Sequence, residues 1–308
     1  MMKSNFSKIN NLLKYQKFNI AQGASYHLDS SKVKIRGKFL KSSKKDMPTM
    51  LFFPEALESA ETYEKFFNEN SDFLNYRNVW ILYPRNFGDS DHHNSFCLNE
   101  SAHDINRFIE EKKLSTVTVG GHGYGAKVAC AFSTMYMEKT SGVICVEGGP
   151  IDQSYHPAWN AIREYIIKSH DETKSTTNLG DAQRKVDKVV SDKYWNKLIK
   201  SNMLESNSSI SWKINMPDLY YNVKRQFSDL TRWDSRFGLF PGRAFCQFAS
   251  HSNHIYLSTN TIPFYKFFPH LESKFPSPSF NFITTDEGED SKLIFNKIIG
   301  YLTIKIKK

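Results

Sequence analysis

The segment Thr116-Val-Thr-Val-Gly-Gly-His-Gly-Tyr-Gly-Ala-Lys-Val-Ala129 constrains the fold more than any other. A β-branched run meets four glycines within six residues and then continues into small, helix-compatible side chains. That pattern is a strand, a turn whose backbone only glycine adopts at little cost, and a helix. A strand that turns so sharply into a helix is one βα unit, so further units are expected on both sides.

They are there. Val33 to Leu40 alternates like an exposed strand, and Met50-Leu-Phe-Phe53 and Asn78-Val-Trp-Ile-Leu-Tyr83 are short apolar runs of the kind buried parallel strands show. Ser59 to Phe67 has a helical pattern. Glu100 to Lys113 spaces Ala102, Ile105, Phe108 and Ile109 along one helical face. After the glycine turn, Ala126 to Met137 reads as a helix and Val143-Ile-Cys-Val146 as a strand. The alternation predicts an α/β fold with a mostly parallel central sheet and helices on both faces.

The expected organisation has four parts. Residues 1–30 form a basic N-terminal extension, and 31–150 the first part of the core. Residues 151–237, rich in Lys, Asn, Ser and Asp, form a helical lid over the sheet, with helices at 158–168, 180–200 and 216–230. Residues 238–308 complete the core, with strands at 243–248 and 273–275 and a last helix at 292–302.

Composition narrows the function classes. Lys plus Arg total 41 against 32 acidic residues, a net charge of +9, but 31 of the basic residues are Lys. This is a surface-charge signal more than an Arg-rich phosphate reader, so no nucleic acid is expected unless the host is ribosomal. No run reaches the roughly 18 apolar residues of a spanning helix. The four cysteines are far apart and three lie in apolar runs, which predicts reduced buried thiols. The first 28 residues carry four Lys and no acid. This resembles a mitochondrial transit segment, although it has no Arg, and it equally fits a basic tail.

Around the turn, Gly121-His-Gly-Tyr-Gly125 resembles the G-x-S-x-G nucleophile elbow of α/β-hydrolases, with Gly123 at the serine position. Three more fragments carry the resemblance from about Pro48 to Leu302. Pro84-Arg-Asn-Phe-Gly-Asp-Ser90 is similar to the R-N-H-G-D-S loop of small intracellular members. Val146-Glu-Gly-Gly-Pro150 is similar to their V-D-x-x-P turn, and Trp212-Lys-Ile-Asn-Met-Pro-Asp-Leu219 to the W-x-x-N-x-x-x-L of a lid helix. Together they resemble the esterase branch around alpha/beta hydrolase domain-containing protein 11.

The resemblance implies where catalytic residues should stand, and most are replaced. Glycine at 123 offers no nucleophile. Pro54-Glu55 matches the oxyanion-hole turn, where Pro54 lacks a donor and the Glu55 carboxylate would repel a developing oxyanion. The histidine position falls at Phe280 or Asn281, with no His after His270. The acid persists as Glu147. A triad without nucleophile and base loses nearly all covalent acyl transfer. The expectation is a pseudoenzyme.

Other chemistries fare worse on the residues. Tyr124 beside the vacant position reads as packing, and Ser90 as a turn residue. His92-His93 and His251-Ser-Asn-His254 lack Cys or acidic companions at zinc-ligand spacing, so no metal is expected. Gly121-x-Gly123-x-x-Ala126 with Glu147 is formally a dinucleotide fingerprint, but it would follow the third buried strand instead of the first. No P-loop occurs, and no cofactor is expected.

Three functions remain. The favoured one is an accessory subunit of a larger, mitochondrial assembly such as a respiratory-chain complex. It would be matrix or inner-membrane-associated, touching protein subunits and an anionic lipid surface, with a cytoplasmic location as the alternative. With 24 Phe and 15 Tyr, the clusters Phe264–Phe268 and Leu219–Tyr221 are candidate interface anchors. The second is a non-catalytic module that binds a lipid or acyl ligand under the lid. The third is an active esterase with relocated catalytic residues.

Overall fold

The computed structural model describes residues 32–277, apart from 70, 155–156, 207–208, 226–228, 234–236, 250–261 and 269–270. The described residues from Val33 onward belong to one compact unit. The N-terminal extension 1–30, His251, His254, Phe280, Asn281 and the expected helix 292–302 lie outside the described residues.

Strand β1 (Gly37–Leu40) is followed by β2 (Thr49–Phe53), helix α1 (Ala60–Glu69), β3 (Asn78–Leu82), α2 (Leu98–Glu111), β4 (Val117–His122), α3 (Tyr124–Met135) and β5 (Thr140–Val146). An inserted segment holds α4 (Pro157–Thr173), α5 (Leu179–Val189), α6 (Lys193–Ser201), the hairpin β6 (Met203–Ser206) and β7 (Ser209–Trp212), and α7 (Met216–Lys224). Strand β8 (Ala244–Ala249), helix α8 (Ile262–Phe267) and strand β9 (Leu271–Ser277) follow. The sheet order is β1-β3-β2-β4-β5-β8-β9. Only β1 runs antiparallel to its neighbour.

Burial follows from that order. Strands β2 and β4 are buried at every position, as expected for central parallel strands covered on both faces. Helix α2 buries Leu98, Ala102, Ile105, Phe108 and Ile109, a 3.6-residue stripe. It stops where Lys113 turns left-handed (φ 55°) and the Leu114 amide reaches back to the Ile109 carbonyl at 2.9 Å.

The insertion differs from expectation in detail. The helix anticipated over 180–200 is two helices, because Asp192 caps a second start by accepting the amides of Tyr194 (2.9 Å) and Trp195 (3.0 Å). Helix α7 ends at Lys224 instead of continuing to 230. The hairpin β6–β7 was not anticipated; its strands are only four residues each, and the Ser-Ile-Ser-Trp alternation of β7 is too short to stand out as a strand. The proposed aromatic anchors are corrected as well. Phe264, Phe267, Phe268, Leu219 and Tyr220 are buried in the molecule's own interior, and of the two clusters' described side chains only Tyr221, 65% exposed, remains a large open apolar face.

Candidate functional site

Strand β4 delivers the chain to Gly123, whose φ of 50° is left-handed and whose amide donates to the Val146 carbonyl at 2.8 Å. The turn is tight enough that the next helix lies directly on β2. A Cβ on Gly125 would stand 2.0 Å from the Phe53 carbonyl oxygen. These close backbone approaches account for the glycine cluster without a phosphate to cradle.

Beyond Phe53, the buried Pro54 and Glu55 turn under the same corner. Glu55 Oε1 accepts the Ala56 amide at 2.5 Å and the Tyr124 amide at 3.2 Å, and Oε2 lies 3.3 Å from the Tyr124 nitrogen. In a working elbow, the amide after the nucleophile and one from the facing loop form the oxyanion hole. Here both kinds of donor hold a carboxylate supplied by the protein. A Cβ on Gly123 would fall 1.2 Å from Glu55 Oε2. The Glu55 side chain thus lies in the space between Gly123 and the two amides. Burial pushes the Glu55 carboxyl up to about 7; the His122 charge opposes this and the Glu58 charge adds to it.

A polar network backs this corner. The Tyr63 hydroxyl donates to Glu58 and accepts the Glu55 amide at 3.1 Å, and it lies 3.0 Å from His122 Nδ1. A hydroxyl has one proton, so with Glu58 receiving it, His122 donates from Nδ1 to Tyr63. Tyr194 of α6 donates to the other Glu58 oxygen at 2.7 Å. Burial lowers the His122 pKa, but the Glu58 hydrogen bond and the charges of Glu58, Glu55 and Glu147 outweigh it, for a net rise.

Glu147 is buried and left-handed (φ 49°), with its amide on the Gln247 carbonyl at 2.9 Å. The following Gly148 lies so close that a Cβ there would meet the Gly123 carbonyl oxygen at 2.1 Å. The structure thus gathers Pro54, Glu55, Gly123 and Glu147 at one corner, while Phe280 lies outside the described residues. Tyr124 is buried, and burial raises its phenol well above the usual range. Ser90 donates to the Tyr83 carbonyl at 2.7 Å and accepts the Arg36 amide at 2.9 Å, as a turn residue does. His92 is exposed. Among the described residues no group of three His, Cys, Asp or Glu side chains could hold a metal.

Lys127 was missed. It is fully buried in α3, its Nζ donates to the Thr231 carbonyl at 2.5 Å, and burial pulls its pKa down to about 7 against the charges of Asp152 and Glu55. A lone cation in the otherwise uncharged Tyr124–Met135 helix was the available signal. Glu58, Tyr63 and Tyr194 had none, because they meet only through the fold.

Between this corner and the insertion lies a cavity of about 60 Å³. Glu55, Phe87 and Tyr124 form its floor, and Trp159, Trp195 and Leu219 its roof. The roof is tied down by two motifs from the sequence. Asn215 Nδ2 donates to Asn86 Oδ1 at 3.1 Å and to the His93 carbonyl at 2.9 Å, and the Asn215 amide meets the Asn86 carbonyl at 2.9 Å. Arg85 anchors the same loop to α2 through a two-pronged contact with Asp104 at 2.8 and 3.0 Å.

A family model described as alpha/beta hydrolase fold matches residues 48–287. Ethanol acetyltransferase 1 of Cyberlindnera fabianii is 25% identical over 128 residues, which are 41% of this chain and 38% of that protein. An abhydrolase domain-containing protein of Schizosaccharomyces pombe is 25% identical over 171 residues, covering 55% of this chain and 62% of that one. The chain therefore aligns with less than two thirds of either relative. Among solved structures, a marine microorganism esterase superposes with a TM-score of 0.72 at 18% identity, over 87% of this chain and 99% of that one, which speaks for the fold alone. Among the described residues no helix is long and apolar enough to cross a membrane.

Proposed function

The chain belongs to the alpha/beta hydrolase fold family, and on that premise we propose that it is a non-catalytic member serving as an accessory subunit of a larger assembly. One observation carries the loss of chemistry. The Glu55 carboxylate takes the Tyr124 amide that would stabilise an oxyanion, and it stands where a nucleophile's Cβ would be. Within the family, the four sequence fragments favour the esterase branch around alpha/beta hydrolase domain-containing protein 11.

The acid-free basic N-terminal segment supports a mitochondrial location for that assembly. Exposed Phe39 (45%), Tyr76 (43%) and Tyr221 (65%) supply apolar contact points, and the +9 charge suits acidic subunits or anionic lipid. Native mass analysis of the endogenous protein, extracted gently from a mitochondrial membrane fraction, tests this. Co-migration with a complex of several hundred kilodaltons is expected; a free monomer overturns it. A fluorophosphonate probe should leave the protein unlabelled, and labelling would restore the reading of an esterase with relocated catalytic residues.

The cavity favours a second reading, a binding module that keeps its pocket without its reaction. Its largely apolar roof, with Glu55 in the floor, would hold a ligand under the insertion.

A further inference from the structure

A pocket that once welcomed an ester should offer hydrogen-bond donors to a carbonyl oxygen. At the floor of this one stands an acceptor, with Gln153 and Thr231 the other polar residues of the lining. At its floor the donors Ala56 N–H and Tyr124 N–H are consumed by Glu55, so what faces the cavity is a carboxylate of fixed orientation. An ester carbonyl, a free carboxylate or an acyl anion placed there would meet like charge and lone pairs.

The walls point the same way. Phe87, Tyr124, Trp159 and Trp195 surround the space, and none of the described lining residues is basic. Aromatic faces carry negative quadrupole and attract ammonium groups, with indole the strongest and methylated amines the usual guests. Lys127 does not compete for the space, since its Nζ is turned to the Thr231 carbonyl. The volume, about 60 Å³ where one water needs about 10–15 Å³, admits a small head group.

We propose that the cavity binds a small organic cation, with an ammonium head against the Glu55 carboxylate and its methyl or methylene groups against Trp159, Trp195, Tyr124 and Phe87. The inference rests on the non-catalytic reading of the site, since it requires Glu55 to stay in the oxyanion hole. It departs from a lipid or acyl ligand, whose polar end would face the wrong partner.

Choline and its uncharged isostere 3,3-dimethylbutan-1-ol, titrated separately into the full-length protein by calorimetry above about pH 8, where Glu55 is ionised, test it. The two differ only in a nitrogen cation for a carbon. Choline is expected to bind at least about tenfold more tightly. The preference should vanish in Glu55→Gln, which keeps the size and removes the charge. Trp159→Leu should weaken choline more than the alcohol, and a thermal melt shows that each variant is folded. Equal affinity, tighter binding of the alcohol, or binding of neither overturns the inference, as does a preference unchanged in both variants. Turnover of p-nitrophenyl acetate by the same samples reports on the other premise. Hydrolysis would end the non-catalytic reading, whereas loss of cation preference without hydrolysis would end only this one.

Discussion

Glu55 and Gly123 exclude each other's alternatives: a Cβ at 123 would lie 1.2 Å from Glu55 Oε2 and 2.3 Å from its Cδ. Serine at 123 therefore cannot return while Glu55 stays in place. Gly123→Ser also puts a side chain on a left-handed backbone. It should destabilise the protein by about 1–3 kcal/mol in urea unfolding. Combining it with Glu55→Gly should recover part of that loss, because the clash goes and the strained φ remains. Neither variant should hydrolyse p-nitrophenyl acetate above background. Turnover in the single variant would mean that Glu55 swings out readily.

The Asn215–Asn86 contact joins the inserted segment to the core through two loops 129 residues apart. Asn215→Ala removes the side-chain bonds to Asn86, the His93 carbonyl and Asp218, while Asn86 Oδ1 keeps the His93 amide at 2.6 Å. A cost of about 1–3 kcal/mol is expected. Hydrogen exchange should speed up in α7 and α4 more than in β4, since the insertion loosens before the sheet does. Uniform acceleration would show that the contact stabilises the whole domain.

These two contacts mark how far the sequence could be read. The glycine turn, the apolar strands and the three further fragments carried the fold, because each is a local pattern with one structural outcome. That Gly123 lacks a nucleophile was equally local. What Glu55 does with its carboxylate was not, since its partners come from residue 56 and from residue 124 across the sheet. The network through Glu58, Tyr63, His122 and Tyr194 spans 136 residues between two of its members. Aromatic richness misled for the same reason: Phe264 and Phe268 look like anchors in sequence, but their burial is decided by what packs over them.

Cys130 and Cys145 place their sulfurs 3.3 Å apart, beside Cys246, and all three are fully buried. Burial raises the thiols of Cys130 and Cys246, while hydrogen bonds from both neighbours hold Cys145 lower. A thiol reagent such as dithionitrobenzoate should label at most the partly exposed Cys97 quickly in the native protein, and four thiols after unfolding in denaturant. Only two reactive thiols on unfolding would reveal a disulfide.

Stability should pass through a minimum near neutral pH, set by Glu55 and Lys127. Burial raises Glu55 from 4.5 to about 7, so between those values the folded state holds a proton that the unfolded chain has released. Stability therefore falls as pH rises from about 4.5 to about 7. Lys127 runs the other way: lowered from 10.5 to about 7, it has already lost in the folded state the proton that the unfolded chain still binds. Stability from this group rises as pH climbs from about 7 to 10.5. Each effect amounts to a few kcal/mol, on the order of 1.4 per pH unit over its window. Urea unfolding at intervals from pH 4.5 to 10 measures both. Glu55→Gln should flatten the acidic limb relative to the parent, and Lys127→Met the alkaline one. If Glu55→Gln leaves the acidic limb unchanged, the Glu55 carboxyl is not the buried acid that sets it.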